Sequence, residues 1–407
     1  MESIGSIMKT FNRAISTPIT SSASFYYENS DEAKDIFSGK SSKPLYSRMG
    51  NPTTAVLEEA IAKMENGIGA VATSSGMGAI TMSIMSLCSS GDEIISIGGL
   101  FGGSYALMTQ TLPRFGIDTK FFSVDEVSKI EDAINEKTKI IYCESVGNPS
   151  LRLPNLEEIG QIATKYNIAF IVDNTITPII VKPFEYGADI VVYSTTKTIS
   201  GNSSALGGIA VYKAIEENGK FTKDRYKFLK PFIDKLGKKA LIGCAKKRVL
   251  RDFGMSANAS SSYQTLLGLE TLELRNERVN NSCEIIAQEL YKNGLDVNHP
   301  SLSNNIDNNL YKSSYKNGTG SMITLDLKTQ KNAFKFLDNS KLLTLTANIG
   351  DSRTLGLHMA STIYQDFTKE QKKFLGTTDG LIRISIGLEN PQEIINDFIE
   401  CFKILKE

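Results

Sequence analysis

The sequence predicts an α/β protein: a large domain with a mostly parallel, seven-stranded sheet, followed by a smaller α+β C-terminal domain. Three observations carry that prediction. Short apolar runs alternate with helix-period segments from about residue 51 onward. Several runs are apolar on consecutive positions (IIYC, AFIV, DIVV), as in strands buried on both faces beneath helices. The chain has 407 residues, whereas one domain usually takes roughly 100–200.

Residues 1–50 are polar with few regular signals and read as an N-terminal arm. A helix over 53–66 puts Val56, Leu57, Ala60, Ile61 and Met64 on one face; Pro52 suits its first turn and Gly67 its stop. Strands are expected at 68–73, 93–97, 139–144, 168–173, 189–194 and 207–212. A helix over 154–166 carries Leu156, Ile159, Ile162 and Tyr166 inward. These elements make 51–254 the first domain. Its last part, 213–250, is Lys-rich and helical with breaks at Gly237 and Gly243, and reads as an insertion or lid-side excursion. The second domain, 255–407, holds a helix over 263–290, strands at 321–327 and 381–386, and a final helix over 391–405.

Composition narrows the function. Hydrophobic residues make up 41% and charged residues 22%, an ordinary balance for a folded enzyme. Lys+Arg and Asp+Glu are both 45, so no basic excess is available to hold a nucleic acid. The local run Lys246-Lys247-Arg248 with Arg251 reads as a solvated face. Five cysteines (Cys88, Cys143, Cys244, Cys283, Cys401) are scattered without a CxxC, which fits a reducing, cytoplasmic setting. Two histidines, His299 and His358, are too few for a His-rich zinc site or for most His triads. No metal is expected. The N-terminus MESIGSIMKTFNRAIS lacks a long apolar run, and no segment approaches ~18 apolar residues, so no membrane partner is expected.

Three motifs carry chemistry. Ser74-Ser75-Gly76-Met77-Gly78 sits between a strand and a helix. Free backbone N–H groups and a positive dipole end make such a turn a seat for phosphate. It is neither a GK[ST] loop nor GxGxxG, and read alone it could be a plain tight turn. Asp173 ends a buried strand, at the sheet edge where open α/β sheets bind ligands; read alone it could cap the next helix. Lys197, in Ser194-Thr195-Thr196-Lys197 at the end of the next strand, lies 24 residues on (197 − 173), at the edge of a neighbouring βα unit; read alone it could be a surface lysine. Together they suit pyridoxal phosphate. Its aldehyde needs a lysine, its ring nitrogen an aspartate, and its phosphate a Gly/Ser turn with hydroxyls.

In that order the motifs resemble the Cys/Met-metabolism family of fold-type-I (aminotransferase-like) pyridoxal-phosphate enzymes. That family includes cystathionine γ-synthases and lyases, methionine γ-lyases and O-acetylhomoserine sulfhydrylases. YSRMGNPT, SSGMGA, ESVGNP, VDNTITP, STTK and GLIRISIGLE carry the resemblance, which runs from about residue 15 to the end. It implies a Schiff base at Lys197, which then serves as general base, and Asp173 on the ring nitrogen. Gly76 and Met77 would offer N–H groups to the phosphate, and Ser194 and Thr196 hydroxyls. Asn148 would lie near the phenolic oxygen, and Phe101 against the ring. Tyr46 and Arg48 would reach the phosphate of a neighbouring subunit, so a homo-oligomer is implied: at least a dimer, with a tetramer expected. Arg383 and Thr354 would face the substrate, Arg383 binding its α-carboxylate.

Three departures from the family pattern stand out. Phe101, in LFGGSY, replaces a stacking tyrosine and so removes its acid. GNSSALGG follows the lysine without the usual His and Asp of GHSD. NIGDSRTLGLHMAS has Arg353 and Met359 where Glu and Pro are common. The NIGD-S-R form, Gly103 (typically Cys in methionine γ-lyases) and the Lys-rich 213–250 segment resemble the O-acetylhomoserine sulfhydrylase branch. The implied reaction is γ-replacement on O-acetyl-L-homoserine by sulfide, a thiol or a sulfur-carrier protein, giving homocysteine and acetate for methionine biosynthesis. The competing expectations are elimination or synthesis by a methionine γ-lyase or cystathionine γ-synthase/lyase, and a cofactor-binding protein without turnover.

Overall fold

The computed structural model describes residues 14–406. The first thirteen residues of the expected arm, and with them most of the N-terminal segment scanned for an apolar leader, lie outside the described residues.

The large sheet contains β1 (Gly69–Thr73), β2 (Glu93–Ile97), β3 (Asp118–Phe122), β4 (Thr138–Glu144), β5 (Ala169–Asp173), β6 (Ile190–Tyr193) and β7 (Gly208–Tyr212), in the order β1-β7-β6-β5-β4-β2-β3. Only β7 runs against its neighbours; β6, β5, β4, β2 and β3 pair in parallel. The consecutive apolar runs have a direct cause. Ile141, Cys143, Phe170 and Val172 pack into one core, and Ile140, Tyr142, Ala169 and Ile171 into the core on the other face. Six of the seven strands stand where the sequence places them. The seventh, β3, is an edge strand that begins Asp-Thr-Lys and is nowhere fully buried, so it carries no apolar signature.

The segment over 213–250 departs from the expected excursion. Phe221, Tyr226, Leu229, Leu241, Cys244 and Val249 are buried in the second core, against the sheet. The Tyr226 hydroxyl accepts from the Ala169 N–H at 2.7 Å and donates to the Lys139 carbonyl. That contact is at the N-terminal ends of β4 and β5, away from the ligand-binding edge. The segment is a layer of the fold, and most of its lysines are on the outer face of short helical turns.

The second sheet contains β8 (Val297–Asn298), β9 (Met322–Asp326), β10 (Thr344–Leu345), β11 (Leu355–His358) and β12 (Leu381–Ser385), ordered β10-β11-β12-β9-β8. Ile323, Leu325, Ile382 and Ile384 pack with Phe336 and Phe398 in its own core. The helix expected over 263–290 is two helices, Ala259–Leu269 and Leu272–Lys292. Leu266 and Leu269 belong to the first core, and Ser262 Oγ meets Thr54 Oγ1 at 3.0 Å. Packing against the large sheet thus continues beyond residue 255. In the arm, a helix not expected from the sequence spans Ser30–Ser38. Asn29 caps it by accepting from Glu32 N–H at 2.9 Å, and Gly39 ends it at φ +79°.

Candidate active site

The C-terminal ends of β1, β4, β5 and β6 converge on one cavity of about 220 Å³. After β1 the chain turns into the helix Gly76–Met85, capped by Ser75 Oγ accepting from Gly78 N–H at 3.1 Å. Glycine is required at position 76 by proximity: a Cβ there would stand 2.6 Å from Ser194 Cβ. Asp173 closes β5 and accepts from Thr175 N–H at 3.0 Å; Thr175 Oγ1 accepts from Ser194 N–H at 2.8 Å. These bonds stitch the end of β5 to the turn that carries Lys197.

Gly76, Met77, Phe101, Asn148, Asp173, Ser194, Thr196, Lys197 and Arg383 all line this cavity. Three expected residues do not. Tyr46 is 43% exposed. Arg48 lies 5.7 Å over its ring and donates to the Arg251 carbonyl. Neither reaches the cavity of its own chain. Thr354 requires a correction. It is fully buried outside the cavity, donates to Glu389 at 2.8 Å and accepts from Gly387 N–H at 3.0 Å. Its hydroxyl bonds within the loop after β12, and Thr354 is not among the residues that line the cavity.

The charges of the cavity are poised. Enclosure raises the Asp173 carboxyl above its ordinary value, opposed by its bonds from Thr175 and Tyr142. No salt bridge involves Asp173 among the described residues. Glu144 is its register neighbour at the end of β4. Burial, then the nearby Asp173, pushes the Glu144 carboxyl well up. Burial, then Arg383, lowers the Lys197 amine to about 8. The amine donates to Asn348 Oδ1 at 2.6 Å. Arg383 is 2% exposed and reaches Asn148 Oδ1 at 3.1 Å and the carbonyls of Ala347 and Asn348 at 3.3 and 3.4 Å, with no carboxylate partner among the described residues. A buried carboxylate without a salt bridge and a buried guanidinium without an anion line the same cavity, and both call for a ligand.

Sequence reasoning did not single out Glu144, Thr175 or Asn348. Glu144 ends a buried strand as Asp173 does, so the same strand-end rule would have found it. Phe101 donates its N–H to Glu144 Oε1 at 2.6 Å. Its ring fills the space beside Gly103, where a Cβ would stand 2.7 Å from the ring and 3.2 Å from Met77 Sδ.

An orphan carboxylate, a depressed lysine and a helix N-terminus around one cavity fit pyridoxal phosphate: its ring nitrogen would supply the missing cation, and the helix N-terminus would offer N–H groups to its phosphate. The comparisons agree. The family model for Cys/Met metabolism PLP-dependent enzymes matches residues 4–403. A homocysteine synthase of Schizosaccharomyces pombe is 35% identical, with 97% of this chain and 95% of the relative covered. An L-methionine gamma-lyase of Fusobacterium nucleatum is 33% identical, with 96% and 94% covered. A Campylobacter jejuni crystal structure that carries N'-pyridoxyl-lysine-5'-monophosphate superposes with a TM-score of 0.92 at 32% identity, covering 98% of this chain and 100% of that one. The chain is a pyridoxal-phosphate-dependent protein. It belongs to the Cys/Met metabolism family of such enzymes.

Proposed function

We propose that the protein catalyses γ-replacement on O-acetyl-L-homoserine, joining a sulfur nucleophile to the γ-carbon and releasing acetate, with homocysteine as the product when the donor is sulfide. Arg383 binds the α-carboxylate through its two-pronged guanidinium. Lys197 carries the cofactor and, once free, takes the α-proton; an amine lowered to about 8 is matched to that task near neutral pH. Asp173 would hold the ring nitrogen. Gly76 and Met77 N–H groups and the Ser194 and Thr196 hydroxyls would hold the phosphate. Asn148 would lie near the ring's phenolic oxygen, and Phe101 would stack on the ring. Bound pyridoxal phosphate supplies the electron sink for charge developing at the α-carbon.

Phe101 carries the choice of reaction. The cavity lining has no Tyr, His or Cys among the described residues. Its ionisable groups are Lys197, Arg383, Glu144 and Asp173. Acetate leaves readily, its conjugate acid having a pKa near the ~4 of side-chain carboxyls; a thiolate, nearer ~8.5, needs more help from an acid. Phenylalanine rather than a phenol at position 101 therefore favours the acetyl ester over methionine. The competing reading, γ-elimination from methionine, draws on the 33% identical gamma-lyase. A non-catalytic reading is opposed by Lys197, Asp173 and Arg383 sharing one cavity.

The test is Phe101→Tyr. A phenol restored beside the ring should raise kcat/KM for methionine or cystathionine elimination by up to ~10²–10⁴-fold, the worth of a positioned acid. Turnover of the acetyl ester should change much less. Equal effects on both substrates would remove the leaving-group argument.

Tyr46 and Arg48, outside their own chain's cavity, are proposed to complete the phosphate site of a second copy. Arg48→Ala and Lys197→Ala should each be inactive alone. Mixed and reassembled, they should regain activity, because one composite site in each hybrid dimer keeps both residues. No recovery in verified hybrids would mean that each site is built from one chain.

A further inference from the structure

Lys197 stands at one end of a hydrogen-bonded chain that leads out of the cavity. Its Nζ donates to Asn348 Oδ1 at 2.6 Å, Asn348 Nδ2 donates to Ser203 Oγ at 2.8 Å, and Ser203 Oγ donates to Asp351 Oδ2 at 2.5 Å. Arg353 closes the chain, its Nε and Nη2 donating to Asp351 at 2.7 and 3.0 Å. Burial alone would raise the Asp351 carboxyl, but its bonds from Arg353 and Ser203 hold it below the usual carboxylate range.

The chain has a fixed polarity. An ionised carboxylate only accepts, so the Ser203 proton is committed to Asp351. The Ser203 oxygen is left to accept, which turns the Asn348 amide nitrogen toward it. The amide oxygen must then face Lys197. Ser203 also holds a left-handed backbone, φ +59°, where glycine would be unstrained. Retaining serine there keeps the hydroxyl at the expense of backbone comfort, as strained functional positions do.

We propose that Asn348, oriented by Ser203 and Asp351, is a positioning residue that holds the Lys197 amine by an amide oxygen and favours its protonated form. This rests on Lys197 being the cofactor-bearing lysine. Other groups also face that amine. Asp173 from β5, Glu144 from β4 and Arg383 from β12 line the same cavity. Tyr142 contacts Asp173 at 3.5 Å, and Tyr364 interacts with Arg383. Asp351 reaches Lys197 only through Ser203 and Asn348. When the amine is released from the cofactor, the amide oxygen is its acceptor, opposing the repulsion from Arg383 and fixing where the lone pair or proton points.

The test uses the full-length chain freed of pyridoxal phosphate. Trace acetylation of Lys197 by acetic anhydride, read by peptide mass spectrometry across neutral to alkaline pH, gives the midpoint of its titration. Asn348→Ala should lower the midpoint by about one unit, the worth of a hydrogen bond to a charged group. Asn348→Asp should raise it. Ser203→Gly suits the left-handed backbone, so Tm should hold or rise, yet the midpoint should fall in the direction of Asn348→Ala, because the amide is free to flip. Wild-type midpoints in both Asn348→Ala and Ser203→Gly, or an upward shift in either, would overturn the proposal. A yellow chromophore persisting in Lys197→Ala would instead overturn the lysine assignment and leave the midpoints as measured.

Discussion

Lys197→Ala is expected to remove the yellow colour of the purified protein and its turnover together. The lysine is the only one lining the cavity among the described residues. Burial and Arg383 lower its amine to about 8, so a reactive free amine is available near neutral pH, as Schiff-base chemistry requires. Its removal takes away both the covalent anchor and the base. The base alone is worth ~10²–10⁴-fold in rate, so the loss should be at least that large. Absorbance scans before and after borohydride, with a steady-state assay, check both effects. The cavity loses a half-buried side chain only, so the fold and Tm should survive.

Asp173→Ala should weaken pyridoxal phosphate binding by roughly 10²–10⁴-fold, the equivalent of losing one partner of a buried ion pair. In the structure the carboxyl is raised by enclosure and held by Thr175, an anion awaiting a cation. The sign of its pH dependence follows. A cationic ring nitrogen favours the ionised carboxylate, so cofactor affinity in the wild type falls as acid protonates Asp173. In Asp173→Ala that carboxylate contribution to the acid sensitivity disappears along with the affinity. Absorbance titration of the stripped protein at several pH values measures both. A Kd within tenfold of wild type would mean that the ring nitrogen is held elsewhere.

Much of this arrangement is legible in the sequence because it follows from periodicity. IIYC and AFIV read as strands buried on both faces, and the two cores on either side of β4 and β5 bear that out. Asp173 closes β5 and Lys197 sits in the turn after β6, both at the edge of the sheet where the cavity lies, which is why spacing along the chain could bring them together. Three kinds of feature stayed hidden. The half-exposed edge strand β3 and the short strands β8, β10 and β11 have too few residues or too little burial to show a pattern. The layer over 213–250 looked peripheral because its outer lysines outnumber the inward Phe221, Tyr226 and Leu241. Asn348 and Thr354 lie six residues apart in one polar loop. Only the tertiary structure shows that the first faces Lys197 and the second is turned to Glu389.

The central claim is the reaction, and product identification tests it most directly. Purified protein loaded with pyridoxal phosphate is given O-acetyl-L-homoserine with sulfide, and separately L-methionine alone, and kcat/KM is measured for each. The account predicts homocysteine and acetate from the first mixture, with a kcat/KM well above that for methionine. Methanethiol, ammonia and 2-oxobutanoate formed from methionine faster than the acetyl ester is consumed would contradict it and make the protein a γ-lyase.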